Sequence, residues 1–219
     1  VAVSAHYAER IVTFSKAVIA AAIMAASLTA RTTVAQEEPV QLGPRTIGET
    51  ASYRLEMTQT GTKEGGRVQT TLALTSNPQG IRVASTAPAV EGSGATEASG
   101  AVRVDGPLRA IIDPYNQLRT ALEGRDPRGH STVVVSLGQQ EVAVPVDATS
   151  TENGGTTSLA FAGHTDTKVR GVNAHVAVDL HATVVHGRVS NASARNAVDA
   201  SVLFRKIHVD QVWSLTRLP

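Results

Sequence analysis

From Val172 to Val184 the even positions read Val172, Ala174, Val176, Val178, Leu180, Ala182 and Val184, all apolar. The odd positions read Asn173, His175, Ala177, Asp179, His181 and Thr183. Apolar positions in a helix recur every three to four residues, so this alternation predicts a strand with one buried and one wet face. Such a strand needs partners on both sides and a cover for its apolar face. What flanks it decides the fold.

The same alternation recurs on both sides. Tyr53, Leu55 and Met57 alternate with polar residues, and Val68, Leu72 and Leu74 follow the glycine-rich segment Gly61–Gly66. Pairing Tyr53 with Leu74, Leu55 with Leu72 and Gln59 with Val68 brings the apolar faces together and predicts a hairpin. Asn77-Pro78-Gln79-Gly80 is a turn signal, and Ile81 and Val83 continue as a third strand beside Leu74. Glu91–Gly100 (EGSGATEASG) has nothing to bury and reads as a loop. Val102 and Val104 make a short strand. Val133, Val135 and Leu137 face Val142, Val144 and Val146, with Pro145 marking an edge or a bulge. Thr149–Thr157 reads as a polar loop. Pairing Thr167 with Val172 across the loop Lys168–Gly171 then sets Phe161 against Val178 and Leu159 against Leu180. Ser190–Asn196 reads as a turn. Val198, Ala200, Val202 and Phe204 keep the apolar phase even, whereas Ile207, Val209, Trp213 and Leu215 have it odd. That phase switch predicts a bulge or bend near Arg205-Lys206. Trp213, the one tryptophan, is expected to plug the end of the core.

One helix is predicted near residues 114–123. Asp113 suits a cap, Pro114 the first helical position and Gly124 the stop, while Tyr115, Leu118 and Leu122 share a face.

About nine strands joined by short polar loops predict an antiparallel, all-β fold, because parallel crossovers need longer connections. The helix offers too few apolar side chains to cover such a sheet. The sheet is therefore expected to curve into a sandwich or a partly open barrel with the helix packed on it. In strand order, though in no sequence motif, the barrel outline resembles the helix-plugged half-barrel of periplasmic lipoprotein carriers. Aromatics make up only 3% of the chain, so small aliphatic side chains build the core. Such a curved sheet can leave an apolar space for a lipid or an acyl chain.

The N-terminus carries a different pattern. Arg10 and Lys16 precede the uncharged run Ala17–Ala30, and Thr33-Val34-Ala35 places small residues at a cleavage site. This predicts a signal peptide over residues 1–35. Fourteen helical residues rise only ~21 Å against a ~30 Å hydrocarbon core, which disfavours a transmembrane span. Residues 36–48, with Pro39 and Pro44, read as a disordered tail, and 49–219 as a single antiparallel β domain. The expected location is the periplasm or the outside of the cell.

The chain has no cysteine, which excludes disulfides, thiolate metal sites, a cysteine nucleophile and a cysteine-linked lipid anchor. Beyond residue 35 there remain 17 of the 20 basic and 18 of the 19 acidic side chains. A balance so close to neutral offers no long-range attraction for nucleic acid.

Chemistry-bearing residues cluster late. In the register above, His164 and His175 are cross-strand neighbours with Cβ atoms ~5 Å apart. Asp166 lies ~6.5 Å further along the same face. Two imidazoles and a carboxylate at that spacing suit zinc or a similar divalent ion, and a wet sheet face also carries such side chains without any ligand. The chain has no H-E-x-x-H, P-loop or dinucleotide fingerprint, and Gly92-Ser93-Gly94 lacks the spacing of a nucleophile elbow. The expected function is non-catalytic: binding or scaffolding an unidentified partner in the cell envelope. The alternatives are carriage of an apolar small molecule on the concave face, and metal binding through His164, Asp166 and His175.

Overall fold

The computed structural model describes residues 40–61, 65–202 and 205–219. The signal peptide assigned to 1–35, the first residues of the tail and Phe204 lie outside the described residues. In chain order the elements are β1 (Thr50–Thr60), β2 (Gly66–Asn77), β3 (Gly80–Thr86), β4 (Ala89–Thr96), β5 (Val102–Arg103) and α1 (Leu108–Glu123). Then follow β6 (His130–Leu137), β7 (Gln140–Asn153), β8 (Thr156–Val169), β9 (Val172–Val185), β10 (Arg188–Val202) and β11 (Arg205–Arg217). All the strands belong to one antiparallel sheet in the order β5-β4-β3-β2-β1-β11-β10-β9-β8-β7-β6, which does not close.

The eleven described strands exceed the expected nine for two reasons. The segment around Glu91, expected as a loop, forms β4. Its glycines face a crowded layer. A Cβ on Gly94 would stand 2.7 Å from a methyl of Val102, and one on Gly92 3.0 Å from Leu108. The small residues are there because β5 and the helix start press on that strand. The second reason is the phase switch near Arg205. It is a chain reversal between β10 and β11, with Val202 opposite Arg205, and not a bulge in one strand.

Tight turns account for the other differences. Arg170-Gly171, His186-Gly187 and Gly154-Gly155 all have both residues at positive φ, from 48° to 82°. Two-residue turns of this hand match the natural strand twist. They leave no room for longer loops: Thr149–Thr157 is strand apart from the Gly154-Gly155 turn, and Ser190–Asn196 is strand throughout. They also move the β8–β9 register by two residues. Phe161 pairs with Leu180 and Leu159 with Ala182, not with Val178 and Leu180. The β1–β2 register moves likewise, with Tyr53 opposite Leu72 and Met57 opposite Val68. A slip of two keeps every side chain on its face, so alternation alone cannot distinguish the registers.

Helix α1 begins six residues before the predicted start at Pro114. Leu108, Ile111 and Ile112 are buried upstream of Pro114, which lies inside the helix. Each buried aliphatic side chain stabilises by roughly 2 kcal/mol, so three of them outweigh the ~3 kcal/mol cost of an interior proline. Asp113 is consequently no cap; it faces the protein interior and is 3% exposed.

This helix touches β3, β4 and β5 near one end of the sheet, β6 at the other end and β11 in the middle. Eleven strands laid flat would span roughly 48 Å, whereas a helix is only ~10–12 Å across. The sheet therefore curls around the helix. The core fills the space between them, with Trp213, Tyr53, Tyr115, Phe161, Leu118 and Leu180 fully buried.

One end of the curl is sealed. Residues 40–43, expected in the tail, lie against it. Gln41 bridges to β10 through Gly187 and Val189, and the Gly43 amide donates to the Tyr53 hydroxyl at 3.1 Å. Gly43 adopts φ 86° beneath the Tyr115 hydroxyl, where a Cβ would lie 2.3 Å from that oxygen.

The β7–β8 ladder starts at Asp147 opposite Ala162. Just beyond it, the Pro145 carbonyl points at Gly163, where a Cβ would sit only 2.1 Å from the oxygen. Pro145 thus turns the side lacking a donor toward a break in the ladder. Gly163→Ala should force these strands apart and lower the unfolding free energy by about 2 kcal/mol, measured by urea denaturation.

Candidate functional site

The opposite end of the curl is open. The first turns of α1 and the far ends of β1, β6, β8, β10 and β11 enclose a cleft of about 740 Å³. Met57, Val135, Leu137, Val169, Val198 and Val209 supply its apolar wall. Asp113, Asn196 and Gln211 supply polar groups, and Arg109 and Arg170 its cationic groups. The cleft exists because the helix, packed mainly on β6, leaves the inner faces of β10 and β11 uncovered at this end.

A chain of buried polar groups runs along the wall. The Trp213 indole N–H donates to Gln117 Oε1 at 3.1 Å, and Asn196 Nδ2 donates to the same oxygen at 2.9 Å. An indole nitrogen can only donate, so it fixes which end of the Gln117 amide is oxygen. Gln117 Nε2 then points at Asp113 and donates to Oδ2 at 2.6 Å, while the Ser136 amide donates to Oδ1 at 3.3 Å. Asn196 Nδ2 also donates to Gln211 Oε1 at 2.9 Å. Its own Oδ1 is left without a partner among the described residues. Burial pushes the Asp113 carboxyl up to about 6, against the hydrogen bonds from Ser136 and Gln117 that pull it down.

The residues singled out in the sequence lie elsewhere, on the outer face. Asp166 is directly opposite His175, and His164 is opposite Ala177. His175 Nδ1 lies 2.8 Å from Asp166 Oδ1, and the His164 and His175 rings are 5.1 Å apart at a 38° tilt. The three are therefore neighbours through a hydrogen bond and a ring contact. Among the described residues no three His, Asp or Glu side chains are grouped to hold a metal ion. The register extends this row across four strands as Asp166, His175, Asp199 and His208. His208 bridges Asp199 at 2.7 Å and Asp210 at 2.9 Å, and the Asp199 hydrogen bond is the main reason its imidazole is raised above the ordinary range. Hydrogen bonds from Arg195 and then His208 hold Asp210 down at about 2.

The sequence reading missed the inner chain. Gln117 went unnoticed on the helix, Asp113 was assigned to a cap and Asn196 to a turn. The signal was present: Asp113, Gln117 and Thr120 follow a helical stripe, and Asn196 interrupts an even-phase apolar series.

No protein-family model matches the chain, and no curated protein sequence matches it.

Two measurements check these sites. Asp113 takes up its proton at about 6 when folded but near 3.8 when unfolded. Between those values the folded state binds more protons, so its stability is full below the unfolded value and falls as pH rises through about 6. Asp113→Asn removes that dependence. Urea denaturation at pH 4 and pH 7 should show the wild type losing on the order of 3 kcal/mol relative to the variant. On the outer face, zinc titrated into the wild type and into His175→Ala should be taken up equally weakly. Tight, one-to-one uptake lost in the variant would support the metal reading.

Proposed function

We propose that the protein is an exported, non-catalytic binding protein of the cell envelope that holds an apolar small molecule in the cleft beside α1. The observation that carries the reading is the cleft itself. It has an aliphatic wall, one open end, and a volume within the roughly 300–1,000 Å³ typical of small-molecule sites. The opposite end is closed by Tyr53, Tyr115 and the residues around Gly43, so a guest enters and leaves by one mouth. The resemblance in outline to envelope carriers supports the same reading, as does the leader pattern from Arg10 to Ala35.

Native mass spectrometry after mild purification, with titration of the neutral fluorophore 1-N-phenylnaphthylamine, tests it. The fluorophore should brighten with the wild type. Val198→Trp, which fills the cleft, should weaken uptake about tenfold while leaving the circular dichroism unchanged. A ligand-free mass together with no uptake by the wild type overturns the proposal.

A further inference from the structure

Three charged residues line the cleft: Arg109, Asp113 and Arg170. Two already have partners. Arg109 Nη2 lies 3.4 Å from Glu141 Oε1 and donates to the Gln139 carbonyl at 3.2 Å. Asp113 accepts from Ser136 and Gln117 within the wall. The Arg170 guanidinium makes no hydrogen bond or ion pair with a described residue.

Its position is nonetheless held. Arg170 is the first residue of the β8–β9 turn, at φ 50°. Its amide donates to Gln140 Oε1 at 3.1 Å, and Gln140 Nε2 donates back to the Lys168 carbonyl at 2.8 Å. The two hairpin turns are stapled together by that one side chain. The Arg170 side chain then crosses Gly138, where a Cβ would stand 3.1 Å from Nη2. Gly138 gives it passage to the edge of the cleft.

We infer that the guest is a single-chain anionic amphiphile, its carboxylate or phosphate head meeting Arg170 at the mouth and its chain lying on Leu137, Val169 and Val198. A planar guanidinium pairs with either head in a two-pronged arrangement. An uncompensated positive charge beside an aliphatic wall repels a cationic head and gives a neutral one no advantage. The inference rests on the binding reading above and adds the charge of the guest to it.

Calorimetry with soluble twelve-carbon amphiphiles, below their micelle concentrations and at low salt, separates the two ideas. The probes are dodecanoate and dodecyl phosphate, 1-monolauroylglycerol as the neutral case, and dodecyltrimethylammonium as the cationic one. The wild type should bind one equivalent of either anion about fivefold more tightly than the neutral probe, an advantage of the size expected for an exposed ion pair. Arg170→Gln should bring both anions to the affinity of the neutral probe, and Arg170→Lys should keep part of the advantage. Being exposed in a turn, position 170 should tolerate both changes, and unchanged circular dichroism spectra of the variants check this. Equal binding of neutral and anionic probes, tighter cationic binding, or an anion preference that survives Arg170→Gln overturns the head-group inference alone. Absence of saturable binding by every probe overturns the cleft reading with it.

Discussion

The contact of one helix with both ends of an eleven-stranded sheet is the constraint on which the architecture depends. Because α1 reaches β4 and β5 on one side and β6 on the other, the sheet has to curl. Because it curls around a single helix, the inner faces of β10 and β11 are buried at one end and uncovered at the other. The aliphatic cleft follows from a shortage of cover: a helix of sixteen residues cannot fill a trough walled by strands of up to fifteen. The small side chains of the inner face, Ala174, Ala192 and Ala194 among them, add room that larger residues would have taken.

Polarity within the core descends from the single indole. Trp213 donates, so Gln117 accepts, so its amide nitrogen turns to Asp113 and Asn196 donates in its turn. The chain of obligations ties the middle of the helix to β6, β10 and β11 and sets the helix depth in the trough. The cost is a carboxylate held in a dry place, with a proton affinity raised by burial. Polar groups in such a chain specify one arrangement where aliphatic packing alone tolerates several.

Much of the fold was legible because burial on one face imposes a period of two, which appears at Val172–Val184, Tyr53–Met57 and Val133–Val146 alike. The antiparallel order, the curvature and the burial of Trp213 followed from it. Registers were not legible, since a slip of two residues preserves every face; the turns decide them, at Arg170 and His186 for β8 to β10. The glycine-rich β4 was hidden because its residues are small to admit their neighbours, a reason that exists only in three dimensions. The inner polar chain was missed for a related cause. Gln117 and Asn196 look like surface residues until partners 79 positions apart are brought together. The outer row of His and Asp was easier to find because alternation within a hairpin is local. Its members His164, Asp166 and His175 share the outer face, although the partner of His175 is Asp166 and not His164.

β1 and β11 are paired at the middle of the sheet, with the other strands fanning outward in two sequential runs. A polypeptide made from its N-terminus can assemble β1 to β5 as one meander and β6 to β10 as another, each from neighbours in sequence. The seam between them waits for Arg205–Arg217, which follows both meanders in the chain. Until then both meanders carry a bare central edge, and the trough has no continuous floor. Closure of the trough thus waits on a pairing between β1 and β11 that lie far apart in sequence, a slower event than the neighbour-to-neighbour pairing inside each meander.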